Sequence, residues 1–181
     1  NDNKDDGSRG FMSTATIIGD TTNGFYCYLD GGGLVISYDK NLADAERGYF
    51  SFYYNEEDWE TSTNGEKFIN NAHVVTWSKY EVIHPISQEE ANDTNVAENC
   101  QLPSLLGIGY GYRGYFDLHA GFSTFNSITG EKIQGKISLV YDPQEQTQDS
   151  LKLQLYYNPN TPDDWSKTQT DYETVSCDIS S

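Results

Sequence analysis

Along the first half of the chain, apolar and polar positions alternate with the two-residue period of strands. In residues 10–18, Phe11, Ala15 and Ile17 alternate with Thr14 and Thr16. Thr21-Thr22-Asn23-Gly24 is a hairpin signal and predicts a return strand over 25–29. Asp30-Gly31-Gly32-Gly33 marks a second turn before a strand over 34–38. Residues 41–47 are polar and Ala-containing and predict a short helical turn, 48–54 an aromatic strand, and 55–60 an acidic loop. Residues 68–83 read as one long or bent strand, with Val74, Thr76, Tyr80 and Val82 facing one way and Val75, Trp77 and Ile83 the other. Several short strands without a convincing helix suit a small closed barrel, because an open sheet would leave edges to cover.

The pattern breaks between Pro85 and Pro103, where the chain is polar and acidic and predicts a linker. Beyond it, Gly107, Gly109, Gly111 and Gly114 interleave with Ile108, Tyr110, Tyr112 and Tyr115, so one face of a strand over 105–115 lacks side chains. Extended chain continues over 116–125. After the turn at Thr129-Gly130, three strands are predicted at 133–141, 151–157 and 172–179. They would bury Ile137, Leu139 and Tyr141; Leu151, Leu153 and Leu155; and Val175, Cys177 and Ile179. Polar loops separate them with the spacing of an antiparallel sandwich. The expected organisation is a leader over 1–8, a barrel over 9–86, a linker over 87–103 and a sandwich over 104–181, all-β throughout.

Composition agrees with strands and rules out disorder. The 181 residues include 14 Tyr, 8 Phe and 3 Trp, large rings that supply a core although apolar residues make up only 36%. The net charge is −17, spread evenly: −8 through Ile86 (6 basic against 14 acidic residues) and −9 after it (5 against 14). Such a chain repels nucleic acid and anionic lipid head groups, so neither is an expected partner. No apolar stretch is long enough for a membrane-spanning helix. The start, Asn-Asp-Asn-Lys-Asp-Asp-Gly, is a polar leader without an initiator Met, expected to be flexible and to succeed a removed targeting segment.

Five segments carry a family resemblance: Ala-Thr-Ile-Ile at 15–18, Tyr-Leu-Asp-Gly-Gly at 28–32, Gly-Lys-Ile-Ser-Leu-Val-Tyr-Asp at 135–142, Leu-Lys-Leu-Gln-Leu-Tyr-Tyr-Asn-Pro-Asn at 151–160, and the closing Tyr-Glu-Thr-Val-Ser-Cys-Asp-Ile-Ser at 172–180. Together they resemble the NigD-like proteins, exported lipoproteins of Bacteroidales. The resemblance implies an OB-type barrel with a β-sandwich after it, and a lipid-bearing cysteine immediately before Asn1. That anchor would be the only link to a membrane, in the outer membrane facing the cell surface or the periplasm. Lys4-Asp5-Asp6 then reads either as a surface-export signal or as a plain acidic tether. The family has no established catalytic residues, and its association with bacteriocin operons implies immunity or export.

Residues suited to chemistry are few. There is no Gly-x-Ser-x-Gly elbow, His-Glu-x-x-His or Cys-x-x-Cys, and His73, His84 and His119 are scattered. No catalytic residue, metal or cofactor is expected. Cys27 and Cys177 lie in strand-like segments as free buried thiols; a Cys100–Cys177 bridge is the alternative in an exported chain. Acids surround two tryptophans: Glu56, Glu57, Asp58 and Glu60 around Trp59, and Asp163 and Asp164 before Trp165. A ring beside carboxylates suits a glycan or peptide, which stacks on one and hydrogen-bonds the other. The expected binding residues are therefore Trp59, Trp165, Asp58 and Asp164, with Tyr110 and Tyr112 as a second aromatic stripe. The partner would be a glycan, a peptide or an envelope protein. Carboxylate-based glycoside hydrolysis is the enzymatic alternative.

Overall fold

The hairpin signals of the first half produce a meander that closes on itself. The computed structural model describes residues 7–109 and 113–180. Contacts divide the chain into two units, Asn1–Tyr80 and Glu81–Ser181. The first contains β1 (Ser8–Asp20), β2 (Gly24–Leu29), β3 (Leu34–Ser37), β4 (Arg47–Asn55), β5 (Trp59–Thr61) and β6 (Lys67–Lys79). Neighbouring strands run β3-β2-β1-β4-β6-β5, and a parallel pairing of β3 with β6, Val35 opposite Ile69, closes five of them into a barrel. Closure leaves only the short β5 as an added flap on β6.

The barrel core is built from the inward positions that alternation selects: Ala15, Ile17, Phe25, Cys27, Val35, Phe50, Phe52, Ile69, Ala72 and Val74. Phe11 stacks on Phe52 with ring centroids 5.3 Å apart. The expected helical turn at 41–47 is a three-residue 3-10 turn, Lys40–Leu42, capped by Asp39, and it delivers the fully buried Leu42 to the core. Asp39 also accepts the Val74 N–H at 3.0 Å, so one carboxylate holds the turn against β6.

The most demanding group in the barrel is Arg47, a charged side chain with no solvent exposure. Its guanidinium donates to both carboxylate oxygens of Asp30, at 2.8 and 2.7 Å, and to Thr16 Oγ1 at 3.1 Å. A buried guanidinium is tolerated only when paired in this forked manner.

The second unit contains β7 (Glu81–Ile83), β8 (Ile86–Ser87), helix α1 (Gln88–Asp93), β9 (Leu105–Gly109), β10 (Tyr115–Asn126), β11 (Lys132–Gln134), β12 (Lys136–Tyr141), β13 (Gln154–Asn158) and β14 (Thr168–Asp178). One sheet runs β11-β10-β14-β7, with β9 also on β10; the other runs β13-β12-β8. Their shared core is Ile83, Leu118, Ala120, Phe122, Ile137, Leu139, Tyr157, Val175 and Cys177. The architecture is all-β, a barrel and then a sandwich. Its long pairings are antiparallel, whereas the short β7 and β8 join in parallel.

Several boundaries differ from the sequence reading. The strand expected over 68–83 ends at Lys79; the Tyr80 N–H turns onto Arg47 O, and Glu81–Ile83 pairs with β14 instead. The unit boundary thus falls after Tyr80, not after Ile86. Segment 87–103, read as a linker, carries α1 with Ala91 buried, and Gln101 bridges to Tyr157. Strand 133–141 is broken at Gly135, where the chain leaves one sheet for the other. A Cβ there would lie 2.3 Å from the Tyr157 ring, so the position accepts only glycine. Leu151 is 51% exposed because β13 begins only at Gln154. All three cysteines are free; Cys177 lies in the core, and Cys100 Sγ donates to Val96 O at 2.9 Å.

These contacts predict two changes in stability. Asp30→Ala strands the buried guanidinium and lowers unfolding free energy by about 3 kcal/mol, whereas Arg47→Met with Asp30→Ala recovers much of that loss in urea titrations. Gly135→Ala drives a methyl into Tyr157 and costs about 1–3 kcal/mol, seen as an earlier urea midpoint with unchanged slope.

Candidate functional site

Trp59 opens the short flap strand β5, and its placement is set by the acidic turn before it. Glu56–Asp58 forms a 3-10 turn capped by Asn55. Asp58, expected to bind a ligand, accepts the Asn55 N–H at 2.8 Å and closes the capping box. Its carboxylate therefore shapes the turn. Glu56 pairs with Arg9 at 3.0 Å, and Glu60 accepts from Asn70 Nδ2 at 3.1 Å. This pairing aims the side chains of the flap without burying them.

The indole of Trp59 is 43% exposed and meets Tyr54 edge-on, with centroids 5.8 Å apart. It stands between two concavities. On one side is a polar groove of about 520 Å³ lined by Glu56, Glu60, Thr61 and Lys67. On the other is an apolar pocket of about 280 Å³ at the barrel end, lined by Phe11, Leu29, Leu34, Tyr54 and Ile69 among others. Lys67 borders both. Its ammonium has no carboxylate partner among the described residues, so a cation, two carboxylates and a ring converge on one surface.

The other expected residues are distributed differently. Trp165 is half-buried in the loop between β13 and β14, its backbone N–H on Pro162 O at 3.1 Å, and Asp164 beside it is exposed. Trp59 and Trp165 belong to different units. Tyr110 and Tyr112, like Lys4-Asp5-Asp6, lie outside the described residues. Residues that the sequence reading did not connect with Trp59 are Tyr54, Leu29, Leu34 and Lys67. Strand pairing brings them there, and nothing local in the chain marks them.

Titrating groups elsewhere are engaged in structural contacts. Burial pushes the thiols of Cys27 and Cys177 up to about 12, which removes thiolate nucleophilicity near neutral pH. Glu81 on β7 lies near Glu173 on β14: burial first, and then the Glu173 charge, raise Glu81 above its ordinary range. Glu81 accepts from Gln134 Nε2, and Glu173 accepts from Ser123 Oγ at 3.0 Å. Both carboxylates are thereby tied into the sheet.

No family model and no curated protein matches the sequence. Solved structures do match in fold. A putative toxin-related protein from Parabacteroides distasonis superposes with a TM-score of 0.60 at 15% identity, covering 96% of this chain and 79% of that one. A NigD-like immunity protein from Bacteroides caccae gives 0.55 at 16% identity, covering 93% and 76%. A protein of unknown function from Bacteroides vulgatus gives 0.52 at 17%, covering 94% and 76%. The NigD-like resemblance read from the sequence is thus matched by the fold over most of the chain.

The raised Glu81 gives a pH prediction. A carboxyl raised in the folded state is best tolerated when protonated, so its destabilising effect is absent in acid and grows as pH climbs through the raised value. Glu81→Gln is expected to leave the thermal midpoint unchanged near pH 3.5 and to raise it at pH 7. An equal shift at both would show that the carboxyl's charge is irrelevant.

Proposed function

We propose that this chain is a non-enzymatic binding module of the cell envelope, lipid-anchored through a residue preceding Asn1, and that its barrel binds an extracellular glycan at Trp59. The observation that carries this reading is the half-exposed indole, braced by Tyr54, between a polar groove and an apolar pocket. A sugar ring offers C–H groups to an aromatic face and hydroxyls to Glu60, Thr61 and Lys67, which provide acceptors and a donor within one groove. The rigid edge-on contact with Tyr54 holds the indole in place before a ligand arrives, which lowers the ordering cost of binding.

The non-enzymatic reading rests on the engagement of the acidic side chains. Asp58 caps a turn, Glu56 and Glu60 brace the flap, and Glu81 and Glu173 are tied within their sheet. Glycoside hydrolysis would need two carboxyls facing each other across a sugar; of the two that line the Trp59 groove, Glu56 is held by Arg9 and Glu60 by Asn70. A second reading, an immunity role, is favoured by the fold shared with the B. caccae protein; the same surface would then receive a peptide.

Intrinsic tryptophan fluorescence titrated with a panel of soluble neutral and acidic oligosaccharides tests the assignment. Trp59→Ala is expected to weaken binding about tenfold or more, as for a buried aromatic anchor, and Trp165→Phe to leave it unchanged. Equal affinities for wild type and Trp59→Ala would remove the site. For the location, protease treatment of intact cells carrying the full-length protein is expected to cleave it; protection until lysis would place it in the periplasm.

A further inference from the structure

The second unit contains an unfilled strand position. β12 pairs with β13 on one side from Lys136, opposite Asn158, through Val140, opposite Gln154. On the other side only Val140 and Tyr141 have partners, Ile86 and Ser87 of β8. Among the described residues no strand lies beside Lys136–Leu139 on that edge. In an antiparallel pair every second N–H and C=O points away from the partner strand, so about 13 Å of edge carries backbone groups aimed at the open side.

The reason lies in the preceding chain. Pro85 has no N–H to donate to a ladder, and before it the chain has left for the other sheet, where β7 pairs with β14. β12 therefore loses its neighbour at the point where β7 departs. Beside this edge is a cavity of about 370 Å³, walled by Val82, Ile83 and Ile86, by Glu90, Thr94 and Val96 of α1 and the segment after it, and by residues 136–139 of β12.

The two faces of the slot differ chemically. Ile137 and Leu139 point into the sandwich core, while Lys136 and Ser138 point the other way, toward Glu90 and Thr94. Glu90 and Lys136 each lack an ion-pair partner among the described residues. An occupant that satisfies all of this has an extended backbone for the β12 edge, apolar side chains at alternate positions for the core side, and polar side chains between them. Within the slot the charges of Glu90 and Lys136 offset one another, with His84 also in the wall, so the preference for charge comes from the net −17 of the chain, which attracts a basic occupant.

We propose that the β12 edge is a binding site for an extended peptide with alternating apolar and basic side chains, which completes the sheet by strand addition. The site is independent of the Trp59 surface and does not require a glycan ligand there.

Acetyl-Val-Lys-Val-Lys-Val-amide titrated into the isotope-labelled full chain is the direct probe. It is expected to give saturable amide shifts over residues 136–139 and at Thr94. The same peptide N-methylated at its central valine, which cannot pair with an edge, is expected to give none. The Val-Glu-Val-Glu-Val counterpart should bind about fivefold more weakly, the scale of one exposed charge pair, and Lys136→Glu should widen that gap. Thr94→Trp, which fills the cavity from the wall that faces β12, should abolish binding while the rest of the amide spectrum is retained. Trp59→Ala should change nothing. Equal binding of the N-methylated peptide, or undiminished binding to Thr94→Trp, would overturn strand addition, as would an absence of saturable shifts at residues 136–139.

Discussion

The barrel is organised around one buried charge. The Arg47 guanidinium, carried on β4, has no access to water, and groups from two other places meet it: Asp30 in the β2–β3 turn and Thr16 on β1. A fork of N–H donors matched to both carboxylate oxygens is directional. It therefore constrains how the β2–β3 turn sits against β1 and β4. The main chain repeats the link, since Arg47 O receives the Tyr80 N–H at the point where β6 ends. The same residue thus fixes one end of the barrel and the place where the chain leaves it.

Departure at Tyr80 determines how the second unit begins. Three residues of β7 and two of β8 enter different sheets of the sandwich, with His84 and Pro85 between them. Such a crossover anchors the start of the unit to both sheets, yet it cannot fill the edge of either one. β14 gains a short partner and β12 only a partial one. The open stretch of β12, the apolar walls beside it and the polar face supplied by α1 all stem from this single crossover.

Acidity plays two roles that net charge does not separate. Asp30, Asp39 and Asp58 are structural, as an ion-pair partner, a double cap and a capping-box acceptor. Glu56 and Glu60 position a surface flap around Trp59 while remaining open to solvent. The aromatic residues divide in the same way: Phe50 and Phe52 fill the barrel, whereas Tyr54 supports the exposed indole at its end.

Most strands were legible from alternation because the side-chain period of a strand is a local property, and Phe50, Phe52, Val74, Ile137, Leu139, Val175 and Cys177 are all buried on the faces it selects. The two hairpin turns and the two-part all-β order were equally contained in the chain. The long reading of 68–83 failed because nothing local shows that the Tyr80 N–H is taken by Arg47, which frees Glu81–Ile83 for β14. The cap that Asp58 makes was hidden for a related reason: a carboxylate beside a tryptophan looks the same whether or not it caps its own turn. Strand propensity, turn chemistry and charge are written in neighbouring residues, and these the sequence determined by itself. The partner of Arg47, the surroundings of Trp59 and the open edge of β12 arise from pairings between residues far apart in the chain, and only the tertiary structure decided them.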